Sequence, residues 1–151
     1  MPKNDIFFDS SALIAGIVSN EGAARAILLL SEDEKLQITV SEQVISEVER
    51  NIERKVPNAL PYARQLILAA KIRIVRDPQL QEVLLHQDWI SHKADVPILV
   101  AAVRSGVEFL ATLNTKHFID DPKVAIQSGL RIGTPGDALA WVREQLSKAV
   151  E

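Results

Sequence analysis

The stretch that decides the fold is Ile6–Gly16, IFFDSSALIAG. Bulky apolar residues, Ile6 to Phe8, run straight into a carboxylate. Two serines follow, and a second apolar segment begins. The first part reads as a short buried strand and the second as a helix, with Asp9 at the junction. A carboxylate in that position has a structural use, capping the helix it precedes. It also has a chemical one, holding a cation at the end of a strand. The rest of the chain has to separate the two.

Outward from this junction, the segments alternate in type. Ser11–Val18 and Glu21–Leu30 are predicted helices, broken near Ser19-Asn20, with Asn20 as the cap of the second. Leu36–Val40 reads as a strand of alternating exposure, and Ser41 as the N-cap of a helix from about Glu42 to Arg54. Pro57 and Pro61 punctuate the chain before a predicted helix through Leu66–Ala70. Lys71–Val75, KIRIV, alternates and reads as a strand. Asp77-Pro78 has the form of a cap followed by a first-turn proline, predicting a helix to about His86, with Gln87–Ile90 as its extension. Asp95 is expected to open another helix, to about Arg104, with Pro97 in its first turn. Phe109–Thr112 and Arg131–Gly133 are predicted short strands, and Thr134–Asp137, TPGD, begins a last helix to about Ala149.

No repeat, low-complexity tract or linker interrupts this order, so residues 1–151 are expected to form one domain. Strands alternating with helices predict an α/β fold with a mostly parallel sheet covered on both faces. In such folds ligands bind beyond the carboxyl ends of the strands, at a switch point. Asp9 and Asn114 each follow a predicted strand, which places both at that edge.

Composition narrows the function. The chain is 47 % apolar and 25 % charged, ordinary for a globular domain, and it has no cysteine, which excludes disulfides and thiolate metal sites. Asp5 and Asp9 interrupt the N-terminal apolar region, unlike a signal peptide. The longest clean apolar run, Ile98–Val103, is far below the ~20 residues a membrane helix needs. A cytoplasmic protein with no membrane association is expected. The net charge is −3, so phosphate neutralisation by side chains alone is a poor way for it to bind nucleic acid. Bound cations or a local basic stripe would have to do the neutralising. Aromatics, at 5 %, are too scarce for a sheet that stacks bases.

Several chemistries are missing. The six glycines are scattered and none precedes a Lys-Ser/Thr pair, so there is no phosphate loop. There is no Gly-x-Ser-x-Gly elbow. Asp9-Ser10-Ser11 lacks the second aspartate of an aspartyl-phosphate phosphatase loop, which weakens a phosphatase reading. His86 and His92 lack the spacing of a zinc helix, and with His117 they read as surface or packing residues.

The acidic residues are more informative. In SEQVISEVERNI, Val44, Ile45, Val48 and Ile52 form an apolar stripe, and Glu47 and Asn51 share one rim of it. A solvated glutamate fits this periodicity, and so does a carboxylate reaching over the core edge toward a cleft. Asp95 sits at the start of the apolar helix DVPILVAAVRSG, where an N-cap contributes ~1 kcal/mol. A carboxylate there also keeps its charge, as a hard divalent cation requires. In LATLNTKHF, Thr112 and Asn114 offer a hydroxyl and an amide at the same edge as Asp9.

Taken in order, strand-Asp-Ser-Ser, Ser-x-x-x-x-Ser-Glu in a helix, Asp before a Leu-x-Ala-Ala helix, and Ala-Thr-x-Asn before a loop ending in Phe, the chain resembles the PIN-domain family of metal-dependent nucleases, which includes many toxin–antitoxin toxins. The resemblance covers essentially the whole chain and is most specific in FFDSSALIAG and DVPILVAAVRSGVEFLATLNTKHF. It implies a PIN-like α/β/α sandwich. It also implies that Asp9, Glu47 and Asp95 hold Mg²⁺ or Mn²⁺, and that Ser11 supports the first of them. Asn114 stands where many members have aspartate and His117 where others carry another acid, a departure that leaves Asp120 and Asp121 as substitutes. Asn114 would then position water or a ligand.

The implied function is a metal-dependent endoribonuclease giving 5′-phosphate and 3′-hydroxyl ends. Its partners would be RNA, a second copy in a homodimer and, for a toxin, an antitoxin protein. A cation between protein and phosphodiester also resolves the acidic charge balance, with Arg50, Lys93, Lys116 and Arg131 as rim residues guiding the strand. The alternative raised by Asn114 is a catalytically weak PIN fold that binds RNA or protein as a regulatory module.

Overall fold

The computed structural model describes residues 4–150. Its centre is β1 (Asp5–Phe8), in which Ile6, Phe7 and Phe8 are fully buried. The chain continues through α1 (Ser10–Val18), α2 (Ala23–Glu32), β2 (Gln37–Ser41), α3 (Glu42–Lys55), α4 (Leu60–Ala69) and β3 (Arg73–Val75). It then forms α5 (Leu80–Leu85), α6 (Val96–Ser105), β4 (Phe109–Ala111), α7 (Thr115–Phe118), α8 (Pro122–Ser128), β5 (Arg131–Gly133) and α9 (Pro135–Val150). Short 3-10 turns at Pro57–Ala59 and Lys93–Asp95 precede α4 and α6.

The strands of the described residues form one parallel sheet in the order β3-β2-β1-β4-β5. The α/β expectation holds. From β1 the chain builds outward to β2 and β3, then returns to lay β4 and β5 on the other side. The switch point therefore lies between β1 and β4, and their carboxyl ends open the crevice that such sheets use for ligands. The register pairs Phe8 with Ala111, so the next residues, Asp9 and Thr112, leave the sheet side by side. On one set of helices α1 packs against α2 and α3, and α2 against α9; in another, α5 and α8 pack against α6. Six residues of α6, from Val96 to Ala102, are buried, in line with its apolar sequence. No single helix of the described residues is long and apolar enough to cross a membrane.

The predicted boundaries change where tertiary contacts override local pattern. The alternating exposure expected in β2 is absent: Ile38, Thr39, Val40 and Ser41 are all buried, because β2 is an interior strand with both faces covered. The strand expected over Lys71–Val75 pairs only from Arg73. Lys71 has φ 55° and belongs to the turn, and edge residue Ile74 is half exposed. Asn20 does not cap α2. That helix starts at Ala23 after Gly22, whose φ of 100° suits glycine, and the Ser19 hydroxyl bonds to the Glu21 carbonyl. Asp77 does not cap α5 either, since α5 begins at Leu80. Its carboxylate instead accepts from the Gln43 backbone N–H at 2.8 Å, while Glu42 accepts from Asp77 N–H at 3.1 Å, so it caps α3 from another part of the chain. Residues 87–90 form turns, not a helical extension. The segment after Asn114, read as a loop, contains α7 and α8.

Local caps fare better. Ser41 accepts from Val44 N–H at 3.4 Å. Thr134 and Asp137 exchange reciprocal bonds at the start of α9, Asp137 N–H to the Thr134 hydroxyl at 3.1 Å and Thr134 N–H to the Asp137 carboxylate at 3.0 Å. This is the capping-box arrangement with aspartate in place of glutamate.

Candidate active site at the β1–β4 switch point

Asp9 is only 4 % exposed. It does cap α1: its Oδ1 accepts from Ala12 N–H at 2.9 Å. The same oxygen accepts from the Ser11 hydroxyl at 2.7 Å, and Oδ2 accepts a short bond from the Thr112 hydroxyl. Each hydroxyl in turn accepts a backbone N–H from the turn after β4: Leu113 N–H to Ser11 at 2.9 Å, and Asn114 N–H to Thr112 at 2.9 Å. Two parallel relays thus run from one backbone turn, through Ser11 and Thr112, to the two oxygens of Asp9. The pairing of β1 with β4 is what makes the second relay possible.

This ring of donors counters an unfavourable position. Burial pushes the Asp9 carboxyl above its ordinary value; the Thr112, Ser11 and Ala12 hydrogen bonds pull it down, and repulsion from Asp95 pushes it up again. Asp9 and Asp95 are therefore close enough to oppose each other's charge. A carboxylate offers about four lone-pair positions. Three are taken by Ser11, Ala12 and Thr112, which leaves one on Oδ2. A divalent cation accepting that lone pair would relieve both the burial cost and the repulsion, so the residues at Asp9 fit a hard cation.

Asp95 stands at the N-cap position of α6, but its backbone is helical (φ −90°, ψ −12°) and its side chain makes no capping bond. The preceding 3-10 turn aims the carboxylate away from the helix, and its Oδ2 lies 2.9 Å from His117 Nδ1. Asn114 Oδ1 accepts from His117 N–H at 3.3 Å as the cap of α7, and Asn114 Nδ2 lies 2.8 Å from the same His117 ring nitrogen. His92 stacks on His117 with ring centroids 4.1 Å apart. Sequence reading missed this use of the histidines. The available signal was the three-residue interval from His92 to Asp95.

Glu47, half-buried on α3, reaches the same neighbourhood through Gln43. The Gln43 amide nitrogen donates to Glu47 Oε2 at 3.3 Å and contacts the Ala94 carbonyl at 3.2 Å, next to Asp95. The acids are thus linked but not closed. Among the described residues, the acidic and imidazole donors that come within 4.8 Å of one another as a group of three are His92, Asp95 and His117. Asp121 caps α8, accepting from Lys123 N–H at 3.0 Å, and Asp120 is exposed at the end of α7. Arg50, Lys93 and Lys116 are exposed. Arg131 is not at this edge: it opens β5 opposite Phe109, at the amino end of the sheet, with its guanidinium 5.8 Å from the Trp141 ring centroid.

A family model described as PIN domain matches residues 5–116. No curated protein matches the sequence. Solved structures of similar fold include PAE2754 from Pyrobaculum aerophilum, with 19 % identity and TM-score 0.61, covering 93 % of this chain and 90 % of that one. VapBC2 from Rickettsia felis, bound to a DNA fragment from its promoter, has 16 % identity and TM-score 0.63, covering 86 % and 98 %. Mycobacterium tuberculosis VapC20, a toxin that cleaves the sarcin-ricin loop, has 15 % identity and TM-score 0.54, covering 73 % and 90 %.

Proposed function

The chain belongs to the PIN domain family, and on that footing we propose that it is a Mg²⁺- or Mn²⁺-dependent endoribonuclease whose centre is Asp9, Glu47 and Asp95. The observation that carries this reading is Asp9 itself. It is a buried carboxylate held by two hydroxyl relays, opposed by Asp95, with one oxygen lone pair left over at the ligand edge of the sheet. When bound, a divalent cation supplies positive charge to the phosphodiester and makes water a better nucleophile. This chain's residues do the rest. Ser11 and Thr112 keep Asp9 fixed and favour its ionised form against the cost of burial. Gln43 holds Glu47 beside the segment that carries Asp95. Asn114, through the turn that feeds both relays, fixes the position of that turn and orients His117.

The similarity to a sarcin-ricin loop cleaving toxin and to a toxin–antitoxin pair supports RNA as the substrate and an antitoxin protein as a partner; a homodimer in the cytoplasm is the setting proposed for it. The test is cleavage of labelled RNAs and single-stranded DNAs with Mn²⁺, Mg²⁺ or chelator, comparing the natural protein with Asp9→Asn. Metal-dependent RNA cleavage that vanishes in Asp9→Asn is the expected result. Equal background for both proteins would refute it.

One observation favours a second reading. Asp95 faces His117 where a fourth carboxylate would complete an all-acid centre, and Asn114 adds no charge. A catalytically weak PIN fold that binds RNA or protein would fit this. It predicts RNA retention without cleavage in the same panel at high Mn²⁺.

A further inference from the structure

His92, Asp95 and His117 bring two imidazoles and a carboxylate within 4.8 Å of one another. His92 and Asp95 come from the turn before α6, and His117 from α7. The contacts of His117 Nδ1 are contradictory for a simple hydrogen-bond network. It lies 2.8 Å from Asn114 Nδ2, a donor, and 2.9 Å from Asp95 Oδ2, an acceptor. The Asn114 amide cannot be reversed without loss, because its Oδ1 already accepts from His117 N–H at 3.3 Å. A ring nitrogen carries either a hydrogen or a lone pair. With the hydrogen it serves Asp95 and opposes the amide; with the lone pair it serves the amide and opposes the carboxylate.

A cation between Nδ1 and Oδ2 removes the conflict with Asp95, since both atoms are then donors to it. Bonds of about 2.0–2.1 Å to zinc in a tetrahedral site place neighbouring ligand atoms roughly 3.3–3.4 Å apart. The His117–Asp95 separation of 2.9 Å reaches that range when the two side chains part by roughly 0.4–0.5 Å. His92 is exposed and stacked on His117 at 4.1 Å, so bringing its nitrogen inward needs only a side-chain adjustment.

The donor set names the metal class. Imidazole suits zinc and its neighbours, whereas magnesium prefers oxygen donors and water. Two histidines and one carboxylate, with an open fourth position, form the donor set of a zinc site. We propose that His92, Asp95 and His117 form a binding site for Zn²⁺ or a similar borderline transition-metal ion, which shares Asp95 with the acidic centre at Asp9 and takes its other two ligands from the histidines. If the nuclease reading above holds, the two sites compete for Asp95, and zinc at the histidines draws that carboxylate away from Asp9. Zinc is then an inhibitor of magnesium-dependent cleavage, and this consequence alone rests on that reading.

The experiment is a zinc titration of the full chain by calorimetry, in competition with a chromophoric chelator, repeated with Co²⁺ to read the ligand-field absorption of the bound ion. His92→Ala, His117→Gln and Asp9→Asn are titrated in parallel, with circular dichroism reporting the fold. His92 is exposed, so its variant is expected to stay folded even if His117→Gln does not. The expected result is one zinc per chain, at least 10-fold weaker in each folded histidine variant, unchanged in Asp9→Asn, and not displaced by millimolar Mg²⁺. Failure to bind zinc, or equal affinity in His92→Ala, overturns the site. Because Asp9→Asn removes the acidic centre and leaves the histidines, loss of nuclease activity there without loss of zinc keeps the two readings separable.

Discussion

Thr112→Val isolates one of the two relays that hold Asp9. The substitution nearly conserves shape and removes a fully buried hydroxyl that donates to Asp9 Oδ2 and accepts from Asn114 N–H at 2.9 Å. A hydrogen bond to an ionised acceptor contributes ~1.5–3 kcal/mol. The Asn114 N–H is only partly buried, so water replaces much of what it loses, and that term adds roughly 0.5–1 kcal/mol. The expected destabilisation at neutral pH is therefore about 2–4 kcal/mol. With a urea m-value of about 2 kcal/mol/M, the midpoint should fall by roughly 1–2 M. The pH dependence carries a distinctive sign. Burial raises the Asp9 carboxyl above 3.8 and the Thr112 bond opposes that rise, so Thr112→Val should push it higher still. As pH falls through the raised value, Asp9 becomes neutral and the lost bond shrinks to an ordinary one of ~0.5–1.5 kcal/mol. Urea melts of both proteins in chelator at several pH values measure this. A loss below about 0.5 kcal/mol at neutral pH, or one that grows as the pH falls, would refute the relay; both thresholds follow from the same hydrogen-bond magnitudes.

Further expectations follow from the same geometry. Asp9→Asn removes a buried charge whose carboxyl is raised from 3.8, so the folded state binds more protons than the unfolded one between 3.8 and the raised value. Relative to Asp9→Asn, the natural protein should gain stability as pH falls through that window and level off below it; a difference that is flat with pH, in chelated urea melts, would contradict this. Gly16→Ala places a Cβ 2.6 Å from Leu28 Cδ1 and 3.3 Å from the Ala24 carbonyl oxygen. The leucine methyl can turn aside but the α2 backbone cannot, so a loss of ~1–3 kcal/mol is expected in chemical denaturation. Asp77→Ala removes the α3 cap supplied by a distant turn and should cost ~0.5–1 kcal/mol; an unchanged thermal midpoint would show that water replaces that cap.

Features that depend on near neighbours can be read from the chain alone. The alternation of apolar strands with capped helices was legible from IFFDSSALIAG onward, as were the Ser41 cap and the start of the last helix at TPGD, because a helix start is signalled within the next few residues. The placement of Asp9 at the carboxyl edge followed from its position after β1. Periodicity failed where a second face was covered, as in β2, or where a turn took residues from an edge strand, as in β3.

What faces Asp9 is set by long-range pairing. Its bond to Thr112 spans 103 residues and exists because β1 and β4, far apart in sequence, pair in a register that brings their ends level. The same holds for Asp77, which resembles the cap of its own helix and serves α3, and for Asp95, which leaves its cap position to meet His117. Arg131 reads as a rim residue in sequence, yet its strand direction carries it to the opposite end of the sheet. Local propensity specifies backbone conformation over a turn or two. Which polar groups share one low-dielectric crevice depends on strand order and register, and that crevice is where charge and hydrogen bonding become chemistry.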